Sequence, residues 1–417
     1  LRTGERGSTS GALRIYSVLV GAEVSVACAL LVGSALLIRT VGGMMDTPTG
    51  VDGDDVVTTT VQLSRNAYPD WNVVAETHAR IIEQIRAQPG IIEAGGGNFL
   101  PLEVGWRGPF FIHGQPRPDR PEDLPQAQHH SVSDGYFETL GARMAEGRGF
   151  SPFDDASGAR VVIVNESFAR RFLTDAPVGQ FLRIYSTGIG PLGRSLMAND
   201  SSDFSNTFEV VGVVRDVRNA PLNQSVEPAI YFSTNQFPFR QLFLTVSASD
   251  RATAVAGIQS ALATVAPDVP MAAVQTWGDR FAERTAEPRL LMVVLVFFGA
   301  LAGLLAAIGV YGLVSWSVAL RTRELAIRMT LGARPWGIGR LVVGRSVALV
   351  VGGLGVGLAL VRLSEDVLSR VLYQVNPGDT ASALAAGGLL LTTALIASVP
   401  PTLRAMRVDP VEGLRVE

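Results

Sequence analysis

The 417-residue chain contains no lysine; all 35 of its basic residues are arginine. That absence excludes a Walker A loop, whose lysine reaches the β- and γ-phosphates of a nucleotide. Any ATP that drives this protein is therefore hydrolysed by another polypeptide. Cysteine is nearly absent too. The single Cys28 lies inside an apolar run, so no disulfide can form within the chain and the residue reads as a small buried hydrophobe. Histidine occurs four times, as His78, His113, His129 and His130. His129 and His130 are adjacent and would face opposite sides of a strand, and His78 has no partner at i+4 in its helix, so no metal-ligand spacing is formed. Charged residues are only 18% of the chain and the net charge is −3, which leaves no basic field for nucleic acid. There is no G-x-S-x-G elbow, and no serine or cysteine has a histidine at a recognisable spacing. Asp154-Asp155 sits in the turn-like SPFDDASG and reads as a solvated loop rather than a carboxylate dyad. No enzyme active site, metal site or cofactor is expected.

What the chain has in excess is apolar residues, 47% of the total. They gather in four windows long enough to cross a bilayer core of ~30 Å, which needs ~20 apolar residues. These are Ile15 to Ile38, Leu290 to Leu320, Leu341 to Val361 and Thr380 to Leu403. Arginine asymmetry orients them. Arg2, Arg6 and Arg14 precede the first window, whereas Asp46, Asp52, Asp54 and Asp55 follow it. Arg321, Arg323, Arg328, Arg334 and Arg340 lie between the second and third, and Arg404, Arg407 and Arg415 close the fourth. Both termini are thus predicted on the inside of the membrane, with the stretch from about 46 to 285 outside. The expected division is 1–14 as a cytoplasmic linker, 15–45 as the first span and stalk, 46–285 as an extracytoplasmic domain, and 286–417 as a three-span domain with a cytoplasmic end.

Within the outer domain, VVTTTVQLS, VVAETHARIIEQIRAQPG and IIEAGGGNF read as strand, helix and strand, the helix stopped by Pro89-Gly90. QLFLTVSAS, DRATAVAGIQSALATVAPD and VPMAAVQTW repeat that order near the far end. Two β-α-β units flanking a middle portion predict a split α+β sandwich with an insertion over roughly 105–235. The insertion offers strands RVVIVN and FEVVGVVRDV, the helical ESFARRFL, and a polar loop, STGIGPLGRSLMANDSSDFSN.

Three membrane features stand out. The run Gly352 to Gly357, GGLGVG, superficially resembles a dinucleotide fingerprint, but it lies within a span with no preceding strand and reads as helix packing, as does Gly299-x-x-x-Gly303. Glu23 is the one charge inside the first window, about nine residues or ~13 Å from Arg14. It is either an intramembrane functional group or a carboxylate that reaches the interface or pairs with arginine. RTRELAIRMTLGAR, residues 321–334, is amphipathic, with Arg321, Glu324 and Arg328 on one arc and Leu325, Ala326, Met329 and Ala333 on the next. Glu324 and Arg328 have the favoured i,i+4 order, and Gly332 followed by Pro335 supplies a stop. An interfacial helix and a docking surface are both consistent with this pattern.

RTRELAIRMTLGAR resembles the cytoplasmic segment of FtsX/MacB-type ABC transporter permeases, and LRAMRVDPVEGLRVE is similar to their C-terminal signature. DGYFETLGARMAEGRGF, RVVIVNESFARRF and FEVVGVVRDVR resemble the MacB-like periplasmic core domain. AEVSVACALLVGSALLIRTV is similar to first spans of the duplicated orphan permeases described from acidobacteria. The resemblance implies an α+β membrane protein: four transmembrane helices, with a split porter-like subdomain and an inserted second subdomain outside. It further implies a coupling helix of Arg323, Glu324, Ile327, Arg328, Gly332 and Ala333 seated on a cytoplasmic ABC ATPase. Pairing with a homologous permease unit, as a dimer or in tandem, is implied as well, and a periplasmic adaptor or outer-membrane factor is a further expected partner. Thr330 and Arg334-Pro335 depart from the motif. A chain that begins at Leu1 with the linker-like RTGERGSTSG would be the second unit of a duplicated protein. The leading expectation is an efflux or mechanotransmission permease for a hydrophobic compound, peptide or lipoprotein-like cargo. The alternative is a membrane-anchored regulator that binds and activates a periplasmic or cell-wall enzyme.

Overall fold

The computed structural model describes residues 5–46, 49–51, 56–103, 105–116, 120–173, 176–184, 207–219, 225–322, 324, 327, 335–364 and 378–406. The chain forms two compact units, one of Leu1–Asp46 with Thr285–Glu417 and the other of Thr47–Arg284.

The first unit is built from four helices: α1 (Glu5–Asp46), α6 (Trp277–Leu320, from Thr285 onward), α7 (Pro335–Leu363) and α8 (Thr380–Met406). All four are long and apolar enough to cross a membrane, and each contains one of the windows read from hydropathy. They overrun those windows by one or more turns because polar residues continue a helix once it has left hydrocarbon. Pro335 opens α7 at a position where its missing N–H is no loss. α8 is capped by Asp379, whose Oδ2 accepts from the Ser382 amide at 2.9 Å and its hydroxyl at 2.6 Å.

The second unit opens with a four-stranded antiparallel sheet. Its strands are β1 (Val57–Gln62), β2 (Ile91–Gly97), β10 (Gln241–Ala248) and β11 (Gln275–Thr276), in the order β11-β1-β10-β2. With α2 (Trp71–Arg86) and α5 (Arg251–Val265) as crossovers, this is the split β-α-β arrangement. Each helix starts on an aspartate: Asp70 accepts from Asn72 N and Asp250 from Thr253 N. Val74, Ile81, Ile82 and Ile85 of α2 and Ala254, Ile258, Ala261 and Leu262 of α5 repeat at helical spacing. They bury against Val57, Val61, Leu244 and Val246 of the sheet.

One expected strand is much shorter than VPMAAVQTW suggested. Only Gln275 and Thr276 pair, and the strand ends there because Thr276 and Asp279 form a reciprocal capping box that starts α6 at Trp277. Thr276 N donates to Asp279 Oδ2 at 3.2 Å, and Asp279 N donates to Thr276 Oγ1 at 3.1 Å.

The insertion between β2 and β10 is a closed barrel. Its strands are β3 (Trp106–Ile112), β4 (Gln126–Val132), β6 (Val161–Asn165), β7 (Phe181–Ile184), β8 (Thr207–Val214) and β9 (Ala229–Ser233). They pair in the ring β4-β3-β7-β8-β6-β9-β4, with β4–β9 and β6–β8 parallel. The short β5 (Met144–Gly147) adds to β8 outside the ring. Phe110, Val162, Val164, Phe208, Ile230 and Phe232 fill its core. Phe168 of α4 (Glu166–Phe172) packs against Phe110 with centroids 4.8 Å apart. RVVIVN, FEVVGVVRDV and ESFARRFL thus become β6, β8 and α4, while the polar loop, 186–206, lies outside the described residues.

Barrel and sandwich meet where β4 pairs with β2 at Gly97 and Val132. A Cβ at Gly95 would stand 2.6 Å from Tyr136 N, in the short helix α3 (Tyr136–Thr139), so only glycine admits that approach. Arg86 at the end of α2 ties the junction together. Its Nη1 donates to Asp134 Oδ2 at 2.7 Å, its Nη2 to Ala94 O at 2.7 Å, and it pairs with Glu93 at 2.6 Å.

Candidate functional site

The helix unit has two distinguishable ends. At one, Arg39 of α1 pairs with Asp379 at the start of α8, and Arg289 of α6 donates to Met45 Sδ at 3.5 Å. At the other, Tyr16 of α1 meets Trp316 of α6 edge-on at 6.0 Å, and Arg404 of α8 donates to the Tyr311 hydroxyl at 3.4 Å. α1 and α7 therefore run one way and α6 and α8 the other. The chain leaves for residues 47–284 from the Arg39 end and enters residues 321–334 from the Tyr16 end. The up-and-down order assigned from arginine positions has this same alternation.

Helix contact in this unit depends on small residues, as expected where lipid is as apolar as the core. A Cβ at Gly353 would lie 2.7 Å from Val24 Cγ1, and one at Gly357 would lie 2.6 Å from Cys28 Cβ. Gly352 and Gly355, by contrast, have nothing within 4 Å. The GGLGVG run thus presents one face to α1. Gly299 approaches Leu31 and Ser34 of α1, both at 3.2 Å from its Cβ position, whereas Gly303 touches only Leu390 of α8, at 4.0 Å.

Glu23 lies in this seam. Its Oε2 would be 2.6 Å from a Cβ on Gly309 of α6, and a turn away the Tyr16 hydroxyl would be 2.9 Å from one on Gly312. Among the described residues Glu23 forms no ion pair; the arginine pairing considered from sequence is not among its contacts. Of the six residues expected in the coupling helix, Glu324 and Ile327 are helical and exposed. Arg323, Arg328, Gly332 and Ala333 lie outside the described residues.

Asp379 was missed from sequence, although an aspartate three residues before a serine at the head of an apolar window is a legible helix cap. Ser382 donors and then Arg39 hold its carboxyl down at about 2.

In the outer unit, three histidines are structural. His78, His129 and His130 are buried, and burial lowers each to about 3. His129 and His130 do face opposite sides of β4. The first packs edge-on to Trp106 and Phe232, and the second stacks on Tyr231 at 5.4 Å while its Nε2 lies 3.1 Å from Gln128 Oε1. Among the described residues no cluster of His, Cys, Asp or Glu could hold a metal ion.

The reading of Asp154-Asp155 as a solvated pair requires correction at Asp154. That residue is buried and takes a bidentate fork from Arg148, Nη1 to Oδ2 at 2.7 Å and Nη2 to Oδ1 at 2.8 Å. Burial raises its carboxyl, but Arg148 and the Ser151 donors outweigh that and leave it below the usual range. Asp155 is exposed and closes a turn onto Ser157 N at 2.8 Å. The braced loop holds Phe153 88% exposed.

A second feature missed from sequence is a cavity of about 230 Å³ whose lining includes Leu100, Leu102 and Trp277 and four charged residues, Glu103, Arg280, Glu283 and Arg284. Leu102 adopts φ +67, a left-handed backbone that a leucine rarely takes. The Arg284 guanidinium donates to Glu103 Oε1 at 2.7 Å. Arg280 donates from Nε to Thr58 Oγ1 at 2.6 Å, and burial lowers its guanidinium.

Four antiparallel spans, a split β-α-β sheet and an inserted barrel define a membrane permease with a large outer domain. Residues 24–275 match the MacB-like periplasmic core domain, and residues 296–410 match the FtsX-like permease C-terminal domain. The chain belongs to this FtsX/MacB family of ABC-transporter permeases.

It is 28% identical over 288 residues to the pyoverdine export ATP-binding/permease protein PvdT of Pseudomonas fluorescens, covering 66% of this chain and 40% of that protein. Against the macrolide export ATP-binding/permease protein MacB of Marinobacter nauticus it is 25% identical, covering 66% and 41%. The uncharacterized ABC transporter permease YknZ of Bacillus subtilis is 23% identical, covering 71% and 72%. The chain thus spans about two fifths of the length of the first two relatives. Among solved structures, the periplasmic region of MacB from Actinobacillus actinomycetemcomitans is 14% identical, covering 58% of this chain and 97% of that one at a TM-score of 0.34.

Proposed function

We propose that this chain is the permease subunit of an ABC-type efflux or mechanotransmission system, driven by a separate cytoplasmic ATPase that seats on residues 321–335. The observation that carries the reading is the alternation of the four helices. α6 ends, ahead of the arginine-bearing residues 321–334, at the end of the helix unit opposite the one at which α1 ends. With arginines on the inside, both termini and that connection are cytoplasmic, 46–285 is extracytoplasmic, and the membrane is the bacterial inner membrane. Arg323, Glu324, Ile327, Arg328, Gly332 and Ala333 then form the coupling surface. The chain divides as linker 1–14, first span and stalk 15–45, outer domain 46–285 and permease domain 286–417.

These 417 residues contain no lysine and so no Walker A loop, which is consistent with an ATPase supplied from outside them. Relatives named for pyoverdine and macrolide export support efflux as the activity. Pairing with a homologous unit, in the manner of the duplicated acidobacterial permeases, completes the assembly, with a periplasmic adaptor or outer-membrane factor as a further partner.

The test is reconstitution in liposomes with the candidate ATPase. Wild-type chain stimulates ATP hydrolysis, and the R323E/R328E double variant, inserted to the same level, does not. Equal stimulation by both proteins would refute the assignment of the coupling surface. Phe153 favours a second reading. An aromatic ring held exposed by a braced loop is suited to docking an extracytoplasmic protein, as in a regulator that activates a periplasmic or cell-wall enzyme. Loss of enzyme activation in Phe153→Ser with transport intact would support that reading.

A further inference from the structure

The cavity beside Trp277 contains an arginine, Arg280, that forms no direct ion pair among the described residues. Desolvating a guanidinium is costly unless it is paired, and the half-buried Arg280 has no carboxylate within ion-pair distance among the described residues, although Glu103 and Glu283 attract it from further off. Arg280 donates from Nε to Thr58 Oγ1 at 2.6 Å and lies 5.9 Å from the centre of the Phe243 ring. Both nearby carboxylates are otherwise engaged. Glu103 accepts from Arg284 at 2.7 Å and from Leu100 N at 3.3 Å, and the exposed Glu283 accepts from Gln275 Nε2 at 3.3 Å. With Nε occupied, the two terminal nitrogens form a fork of the kind that takes two oxygens of one oxyanion.

The space next to it, about 230 Å³, has room for roughly seven waters at ~30 Å³ each, ample for a phosphate group with part of its ester. The backbone that walls it is unusual too. Leu102 stands at φ +67, its backbone N–H donating to Arg218 O at 2.8 Å, and strain of this kind gathers at ligand clamps.

We propose that this cavity binds a phosphate group through the Arg280 fork, the phosphate belonging either to a lipid headgroup or to a free phosphate-bearing solute. Trp277 and the buried Leu100 and Leu102 provide the apolar wall against which the rest of the ligand lies. Binding here depends on the outer unit alone and is independent of any ATPase, so it stands or falls separately from the transport reading.

The experiment uses the full chain in lipid-depleted detergent, titrated with inorganic phosphate against chloride at matched ionic strength while tryptophan emission is followed. A saturable change is expected, absent in Trp277→Phe. Losing charge-assisted hydrogen bonds in Arg280→Gln should raise its midpoint by about tenfold or more. Should that variant fail to fold, Arg280→Lys keeps the charge but not the fork and should also weaken binding. If wild-type protein reconstituted into phosphatidylglycerol vesicles no longer responds to added phosphate, a headgroup already fills the site. An equal response in vesicles identifies a free solute. No saturable change in detergent, or an unchanged midpoint in the Arg280 variants, would overturn the proposal.

Discussion

The carboxylate of Glu23 in α1 lies against Gly309 in α6, where even a methyl group would stand 2.6 Å from its Oε2. A charge within a membrane helix is costly, and here it is set in a helix–helix seam where only hydrogen occupies the opposite position. Gly309→Leu should therefore force α1 and α6 apart and destabilise the helix unit by ~1–3 kcal/mol, the usual penalty of overpacking. Glu23→Gln, which preserves volume, should leave stability unchanged or raised. Thermal aggregation of the detergent-solubilised protein measures both; a Gly309→Leu variant as stable as wild type would mean that the seam is not packed in this way.

Acid should weaken the outer unit through its histidines. In the unfolded chain a histidine titrates near 6.5, whereas His78, His129 and His130 are lowered to about 3 by burial. Between those values the unfolded chain takes up protons that the folded chain excludes, so stability falls as pH falls. The loss begins below pH 6.5 and approaches ~1.4 kcal/mol per pH unit for each histidine. Denaturant melts from pH 7 to 4 would record it, and His78→Leu should flatten the slope by roughly a third. A pH-independent midpoint would contradict the burial of these rings.

The Arg148–Asp154 fork braces the loop that carries Phe153. Asp154→Ala removes both bonds to Arg148 and the acceptor for Ser151 N, at a cost of about 1–3 kcal/mol. Because the carboxyl is held below its ordinary value, its contribution is fully present above the unfolded-state value near 4. That contribution is lost as pH drops through the lower folded one. Hydrogen exchange should show lost protection at Asp154 N and Gly158 N in the variant, with helix protection unaltered. Unchanged exchange in the loop would show that the fork does not hold it.

What was legible in the sequence was local. Hydropathy located the four spans because each window is its own signal, and alternating strand and helix patterns placed β1, α2, β2, β10 and α5. Barrel closure was not readable. It rests on the parallel pairing of Gln128–Val132 with Ala229–Ser233, about a hundred residues away, and no local pattern encodes such a partner. The same holds for the site residues. Asp154 looked solvated because its two-residue acidic context is that of a turn, and only the fold brings the Arg148 fork onto it. Arg280 lies at the start of α6, ahead of the apolar window, and carries no local signal, since the lack of an ion pair is a property of its neighbours. The coupling-helix motif was readable, and of its residues Glu324 and Ile327 alone are described as helical and exposed.

The central claim, that residues 321–335 seat a separate ATPase, is open to one direct measurement. Cys28 is the only native cysteine and is buried, so a Cys28→Ser background with Ile327→Cys places a single reactive thiol on the exposed side of the connection. With a bifunctional crosslinker in native membranes, the account predicts one dominant adduct. Its partner is a Walker A-containing ATPase, its yield changes with nucleotide, and Arg328→Glu abolishes it. Crosslinks only to another copy of the chain or to lipid, with wild-type Arg328 in place, would contradict the account.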